Sequence, residues 1–258
     1  MKKILLPVAF GLIISTAYSQ TPELKEAEKK SDGKNLIKFN ITSPILKNYS
    51  FQYERAVAKK ISVGLGYRFM PKSGLPLKST LEKLIDDEET IDQIRNFKTS
   101  NYAITPEVRF YFGKGVYRGF YVAPYARIAN FKAELPAFSY TFQSTTNGQT
   151  TPKTENIRLS GDLKTFTGGL MLGAQWKLSK LVYLDWWILG GQYGNENGGI
   201  KGSKTLSSEE QQALRDQLEE LDIPNVDTEV TVDGSGAKVD MAGPWAGLRG
   251  GLNIGIRF

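Results

Sequence analysis

Hydrophobicity in this chain repeats every second residue, in segment after segment. Ile61, Val63, Leu65, Tyr67 and Phe69 alternate with Ser62, Gly64, Gly66 and Arg68. Tyr102, Ile104, Pro106, Val108, Phe110 and Phe112 alternate with Ala103, Thr105, Glu107, Arg109 and Tyr111. Phe120, Val122, Pro124, Ala126 and Ile128 alternate with Tyr121, Ala123, Tyr125 and Arg127, and Val182, Leu184, Trp186 and Ile188 with Tyr183, Asp185 and Trp187. Near the end, Leu248, Leu252, Ile254, Ile256 and Phe258 alternate with Arg249, Gly251, Asn253, Gly255 and Arg257. A period of two is the signature of a strand with one apolar face. Such runs predict eight strands, at 35–43, 48–57, 61–70, 101–112, 119–132, 161–177, 181–192 and 241–258. A soluble sandwich turns the apolar face inward. A transmembrane barrel turns it outward to lipid and keeps small, polar and charged residues in the lumen. Alternation alone fits both.

The connections separate the two. Strands 2–3, 4–5 and 6–7 are joined by three, six and three residues, whereas strands 3–4, 5–6 and 7–8 are joined by 30, 28 and 48. Short turns at one end and long loops at the other are the outer-membrane arrangement. The 1–2 connection, Pro44 to Lys47, is the exception. The polar faces carry glycine and arginine, which suit a narrow lumen. The even strand count puts both termini at the short-turn end, and the last strand ends on an aromatic, Phe258, read as an assembly signal. Met1-Lys2-Lys3, the apolar run from Ile4 to Ile14, and Ala17 and Ser19 before Gln20 read as a signal peptide over 1–19. Residues 20–34 are charged and patternless, the composition of a flexible periplasmic leader. The expected fold is therefore all-β: an eight-stranded antiparallel transmembrane β-barrel over 35–258, with two short helices in long extracellular loops. A secreted soluble barrel is the alternative.

Four stretches also carry a family resemblance: Asn48 to Ala56, Ile61 to Tyr67, Pro106 to Phe112 and Gly119 to Tyr125. With them the chain resembles the small outer-membrane β-barrel domains of Gram-negative bacteria, OmpA- and OmpX-like in architecture, and within these a subfamily of uncharacterised barrels. The resemblance spans most of 35–258. It implies an outer-membrane location and assembly by the barrel-assembly machinery. About activity it is nearly silent, because such barrels include passive scaffolds, adhesins and lipid-modifying enzymes.

Strand phase places Lys38, Glu54, Arg68, Glu107, Arg109, Arg127, Asp185 and Arg249 on the lumen face, with Arg257 at the periplasmic end. A basic residue on the lipid face would cost about 2–4 kcal/mol at mid-depth. If neighbouring strands pair across their short turns, Thr105 faces Arg127, Glu107 is its diagonal neighbour, and Glu54 faces Gly64. That glycine leaves Glu54 free to cross toward Arg109 or Lys38. The expected outcome is a charge network that fills an eight-stranded lumen; the functional alternative is a charged constriction for ions or protons.

Chemistry is constrained by absence. The chain has no histidine and no cysteine. Ser-His and Cys-His nucleophile pairs, thiol chemistry and the common zinc sites are excluded. Glu54, Glu107 and Asp185 are the best acidic candidates for a carboxylate mechanism, but the arginines beside them would hold them ionised. No catalytic residue, metal site or cofactor is expected.

The long loops hold two helix patterns. Ser79 and Glu82 suggest a capping box ahead of Leu81, Leu84, Ile85, Ile91 and Ile94, and Ser207 and Glu210 suggest another ahead of Leu214, Leu218 and Leu221. The two apolar stripes are expected to pack on each other as a cap over the mouth. Residues 193–240 hold 4 basic and 11 acidic residues, whereas the short turns carry Lys59, Lys60, Lys114, Arg118, Lys177 and Lys180. Basic turns suit anionic headgroups, and the acidic outer surface suggests divalent cations. Ser144 to Thr154 reads as a solvated polar loop, and Asp86 to Glu89 as a solvated acidic face. Trp176, Trp186, Trp187 and Trp245 suit interfacial or rim positions.

The sequence thus predicts a monomeric outer-membrane scaffold, structural or adhesive, in contact with membrane lipid and lipopolysaccharide. It binds no nucleic acid, and the chain names no extracellular partner. A small-solute or lipid-handling barrel is one alternative. A secreted barrel binding a hydrophobic ligand is the other.

Overall fold

A computed structural model describes residues 33–85, 88–146, 148–220 and 225–258. The expected signal peptide, nearly all of the expected leader, Asp86-Asp87, Leu221 and Pro224 lie outside the described residues. Among the described residues there are nine strands: β1 (Asn35–Asn40), β2 (Tyr49–Ala58), β3 (Ile61–Gly74), β4 (Lys98–Tyr111), β5 (Gly119–Thr146), β6 (Gln149–Lys177), β7 (Val182–Ser203), β8 (Asp227–Asp233) and β9 (Gly236–Arg257). All pairings are antiparallel, each strand lying beside the next from β1 to β7. β9 then pairs with both β7 and β1, so eight strands close into a ring. β8 is outside the ring and extends the sheet from β9.

Register follows the alternation. Glu54 stands opposite Gly64, Ile104 opposite Ile128, and Glu107 opposite Tyr125. One phase of each strand points inward and is buried, including Lys38, Glu54, Arg109 and Asp185. The other phase is exposed and apolar: Ile37, Leu65, Ile104, Phe166, Leu170 and Ile256 are each more than 40% accessible. The polarity is inverted relative to a soluble sandwich.

β1 stops at Asn40 rather than at 43. The Asn40 carboxamide oxygen accepts the backbone N–H groups of Thr42 and Ser43 at 3.0 and 2.9 Å, which bends the chain into a 3-10 turn over Ser43–Leu46. Pro44, which cannot donate to a ladder, sits in that turn.

The larger departure is in the expected loops. Strands β5 and β6 run on through 133–160 as a hairpin ribbon, pairing down to Thr146 and Gln149. The segment expected as a solvated loop, Ser144 to Thr154, is the end of this ribbon. Its outer face is held by cross-strand hydroxyl pairs, Thr141 with Thr154 and Thr145 with Thr150, each at 2.9 Å. Such pairs contribute roughly 0.2–1 kcal/mol. Its other face is apolar and buried: Tyr140, Phe142, Ile157 and Leu159 form a second core with Leu206, Leu214, Leu218, Val232, Ala237 and Val239.

That core belongs to α3 (Ser208–Glu219), whose Ser207 and Glu210 form the expected capping box. Leu214 and Leu218 are the stripe that buries. Its partner is the extended sheet of β5, β6, β8 and β9, not the helix pattern of 70–100. That pattern forms two short helices, α1 (Lys78–Glu82) and α2 (Glu88–Asn96). Ser79 lies inside α1, so it is not the N-cap of that helix. Glu82 instead meets Arg95 at 3.2 Å and Lys78 at 3.9 Å.

Candidate functional site in the barrel interior

The alternation of β1, β2, β4 and β7 sends four charged side chains to one depth of the interior. Asp185 Oδ2 accepts from Lys38 Nζ at 2.6 Å and from an Arg109 terminal nitrogen at 2.7 Å. Its other oxygen accepts from the Tyr121 hydroxyl at 2.7 Å, and Trp187 Nε1 donates to Oδ2 at 3.1 Å. Lys38 also donates to Glu54 at 2.5 Å. Arg109 reaches Glu107 through Nε at 2.5 Å, Glu54 at 3.3 Å and the Gln52 amide oxygen at 2.8 Å, with its guanidinium 4.3 Å from the centre of the Tyr121 ring. Ser62 donates to Glu54, and the Tyr111 hydroxyl lies 2.6 Å from both Glu54 and Gln175. Tyr111 has one proton and the carboxylate takes it. The Gln175 amide then faces Tyr111 with its NH₂ side, which also gives its otherwise unpartnered nitrogen a bond.

Two glycines make this packing possible. A Cβ on Gly255 would stand 2.6 Å from Lys38 Cγ, and one on Gly64 3.0 Å from Glu107 Cγ. Arg249 closes the network from above. It donates to Glu107 at 2.9 Å and lies 4.0 Å over the Trp187 ring. Lys38, Arg109 and Arg249 therefore face Glu54, Glu107 and Asp185, three charges against three. Buried charges persist only when paired and hydrogen-bonded in this way.

Above the network, toward the long-connection end, the interior opens into a cup of about 380 Å³. Arg68, Arg127 and Arg249 line it, and none of its described lining residues is acidic. Arg68 donates to the Asn101 carboxamide oxygen at 3.2 Å, and its Nε has no partner. Arg127 is 6% accessible and makes no hydrogen bond or ion pair with the described residues. The diagonal partnership expected between Glu107 and Arg127 does not form. Glu107 turns instead to Arg109 and Arg249, because Arg109 is two residues away on the same face and Arg249 reaches across the lumen.

All eight residues predicted for the lumen line the interior, but they split into two groups. Six are in the balanced network; Arg68 and Arg127 stand apart above it. Sequence reasoning passed over Gln52, Ser62, Tyr111, Tyr121, Gln175 and Trp187. Several already lay on the inward phase, but charge was the feature that drew attention. Trp187 is inside the barrel, not at its rim, and 3% accessible. Phe258 exchanges backbone bonds with Asn35 at 2.9 and 3.0 Å, on the seam where the ring closes. Among the described residues no cluster of three or more carboxylates is placed to hold a metal ion.

Ring closure, inverted polarity and a charged interior define a closed antiparallel β-barrel of eight strands with one accessory strand. The family model described as "Protein of unknown function (DUF3575)" matches residues 12–211, and the chain belongs to that family. No curated protein matches the chain. Among solved structures, the N-terminal β-barrel domain of Pseudomonas aeruginosa OprF is similar at 10% identity and a TM-score of 0.27, covering 88% of this chain and 98% of that one.

Proposed function

We propose that the chain is a bacterial outer-membrane β-barrel scaffold whose lumen is filled by its charge network and which presents the β5–β6 ribbon, β8 and α3 outside the cell. The inverted polarity of the ring carries this reading. Leu65, Phe166, Leu170, Leu172 and Ile256 stand on the outside while Glu54, Arg109 and Asp185 are fully buried. In water so large an apolar surface would cost about 25 cal/mol per Å²; against lipid it costs nothing. A lipid-crossing strand needs about 9–11 residues, and β5 and β6 have 28 and 29. The excess suits projection beyond the bilayer.

The basic short turns would face the periplasmic leaflet, and the barrel-assembly machinery would insert the chain as a monomer. Its interior is too polar for a greasy ligand, which argues against the secreted soluble barrel. The Glu54, Glu107 and Asp185 carboxylates of the network are each engaged by cations, which argues against their use in acid–base chemistry. The test is fractionation with gel mobility: the protein should sediment with outer membrane and run faster unboiled than boiled. Recovery as a soluble periplasmic protein would refute the reading. In planar bilayers it should give no steady large-conductance steps, and such steps would refute the filled lumen.

A further inference from the structure

We propose that the cup above the ion network is a binding site for a doubly charged phosphate group carried on a small hydroxylated body, such as a sugar or polyol phosphate. Three observations converge. Arg249 is already shared with Glu107 at 2.9 Å, so the cup's unbalanced charge is that of Arg68 and Arg127, two units. A phosphate monoester near neutral pH carries close to two negative charges. Arg127 is more than nine-tenths buried and has no partner among the described residues, and Arg68 Nε is buried without one. The Arg127 guanidinium is therefore left to face the cup, and its planar fork is built to hold phosphate oxygens in pairs.

The rest of the lining adds the second half of the ligand. Asn48 and Gln192 line the cup, and their carboxamide oxygens, just beneath its surface, accept no hydrogen bond from the described residues. Acceptors without donors suit hydroxyl groups, not a second anionic group. The floor is Arg249 and Trp187, with the ion network beneath them, so the cup is a dead end that receives a ligand instead of passing it. Its volume is in the range of small-molecule sites.

The phosphate could belong to a free sugar phosphate or to a phosphorylated glycolipid headgroup; the second source alone depends on the outer-membrane reading. The experiment is calorimetric titration of the full chain in detergent with inorganic phosphate, glucose 6-phosphate, glucose, bisphosphorylated lipid A and dephosphorylated lipid A, at matched ionic strength. Saturable binding of glucose 6-phosphate but not glucose assigns a soluble ligand. Binding of lipid A only in its phosphorylated form assigns a headgroup. In either case Arg127→Gln and Arg68→Gln should each weaken binding at least tenfold, and Arg127→Lys by less. If Arg127→Gln fails to fold, Arg68→Gln carries the test. Absence of saturable binding for every phosphorylated probe would overturn the proposal, as would binding that both glutamine variants retain within twofold.

Discussion

Asp185→Asn tests whether the interior is held by charge balance. The substitution preserves shape but removes one negative charge from a site where Lys38 stands 2.6 Å and Arg109 2.7 Å away, all with fully buried side chains. Three cations would then face two carboxylates, and the new amide nitrogen would present hydrogen atoms to donors. Removing one partner of a buried pair costs about 3–5 kcal/mol, or two to three and a half orders of magnitude in the folding equilibrium at about 1.4 kcal/mol per tenfold. Urea unfolding in phospholipid vesicles, followed by tryptophan fluorescence and gel mobility, should show this loss. Lys38→Met alone should also destabilise, by leaving Glu54 and Asp185 in excess. The double variant restores two against two, and its loss should be well below the sum of the single losses. Neighbours in one network couple by about 0.5–3 kcal/mol. A loss under about 1 kcal/mol for Asp185→Asn, or strictly additive losses, would refute the reasoning, because water would then be screening the site.

Leu214→Asp places a charge in the fully buried centre of the α3 core. It should make Arg215 rapidly cleavable by trypsin while the barrel keeps its gel shift; loss of the shift would mean the two cores are not separable. Gly255→Val should lower the urea midpoint by pushing Lys38 out of register, since even a Cβ there would sit 2.6 Å from its Cγ; an unchanged midpoint would show that the backbone gives way. The α3 cap has a pH dependence of known sign. Burial opposes charge on Glu210, but the Ser207 backbone N–H, the Tyr140 hydroxyl and Lys204 outweigh it and hold the carboxyl below the usual carboxylate range. A depressed acid contributes stability above the unfolded value of about 4.3 and loses it as pH falls through the folded value. Protection of α3 against hydrogen exchange, measured relative to the unfolded rate at each pH, should therefore fall as pH drops below the unfolded carboxylate value of about 4.3, and Ser207→Ala, costing about 0.5–2 kcal/mol, should lower it at neutral pH.

The ring was legible because alternation is a property of each strand by itself. Val63, Leu65 and Tyr67 face outward whatever their neighbours do. The ribbon was not, because residues 143–154 have little apolar content and their pairing is set by the hairpin and by hydroxyls that find one another only once aligned. β8 was hidden for a related reason. Asp227 to Asp233 lies in an acidic stretch, and only Val230 and Val232 mark its apolar face, toward a helix the strand pattern cannot anticipate. The interior was half legible. Phase assigns Glu107 and Arg109 to the lumen, but which cation each carboxylate takes depends on reach across it. Asp185 meets Arg109 from 76 positions away, and neighbour register is blind to such pairs.

The division of the interior follows from where the charges can be paid for. At the depth of Asp185, where side chains close the lumen, three cations meet three carboxylates, tyrosine, serine and tryptophan donate to the carboxylates, and Gln52 accepts from Arg109. Arg68 and Arg127 occur only where the lumen opens into the cup. If their task were to fill space, glutamine or leucine would do so without desolvating a guanidinium. If it were to stabilise the wall, a carboxylate on an adjacent inward position such as Thr105 or Ser50 would neutralise them, and both positions are polar already. Positive charge left unbalanced beside an opening is costly to the folded chain alone, and that cost is recovered when an anion enters.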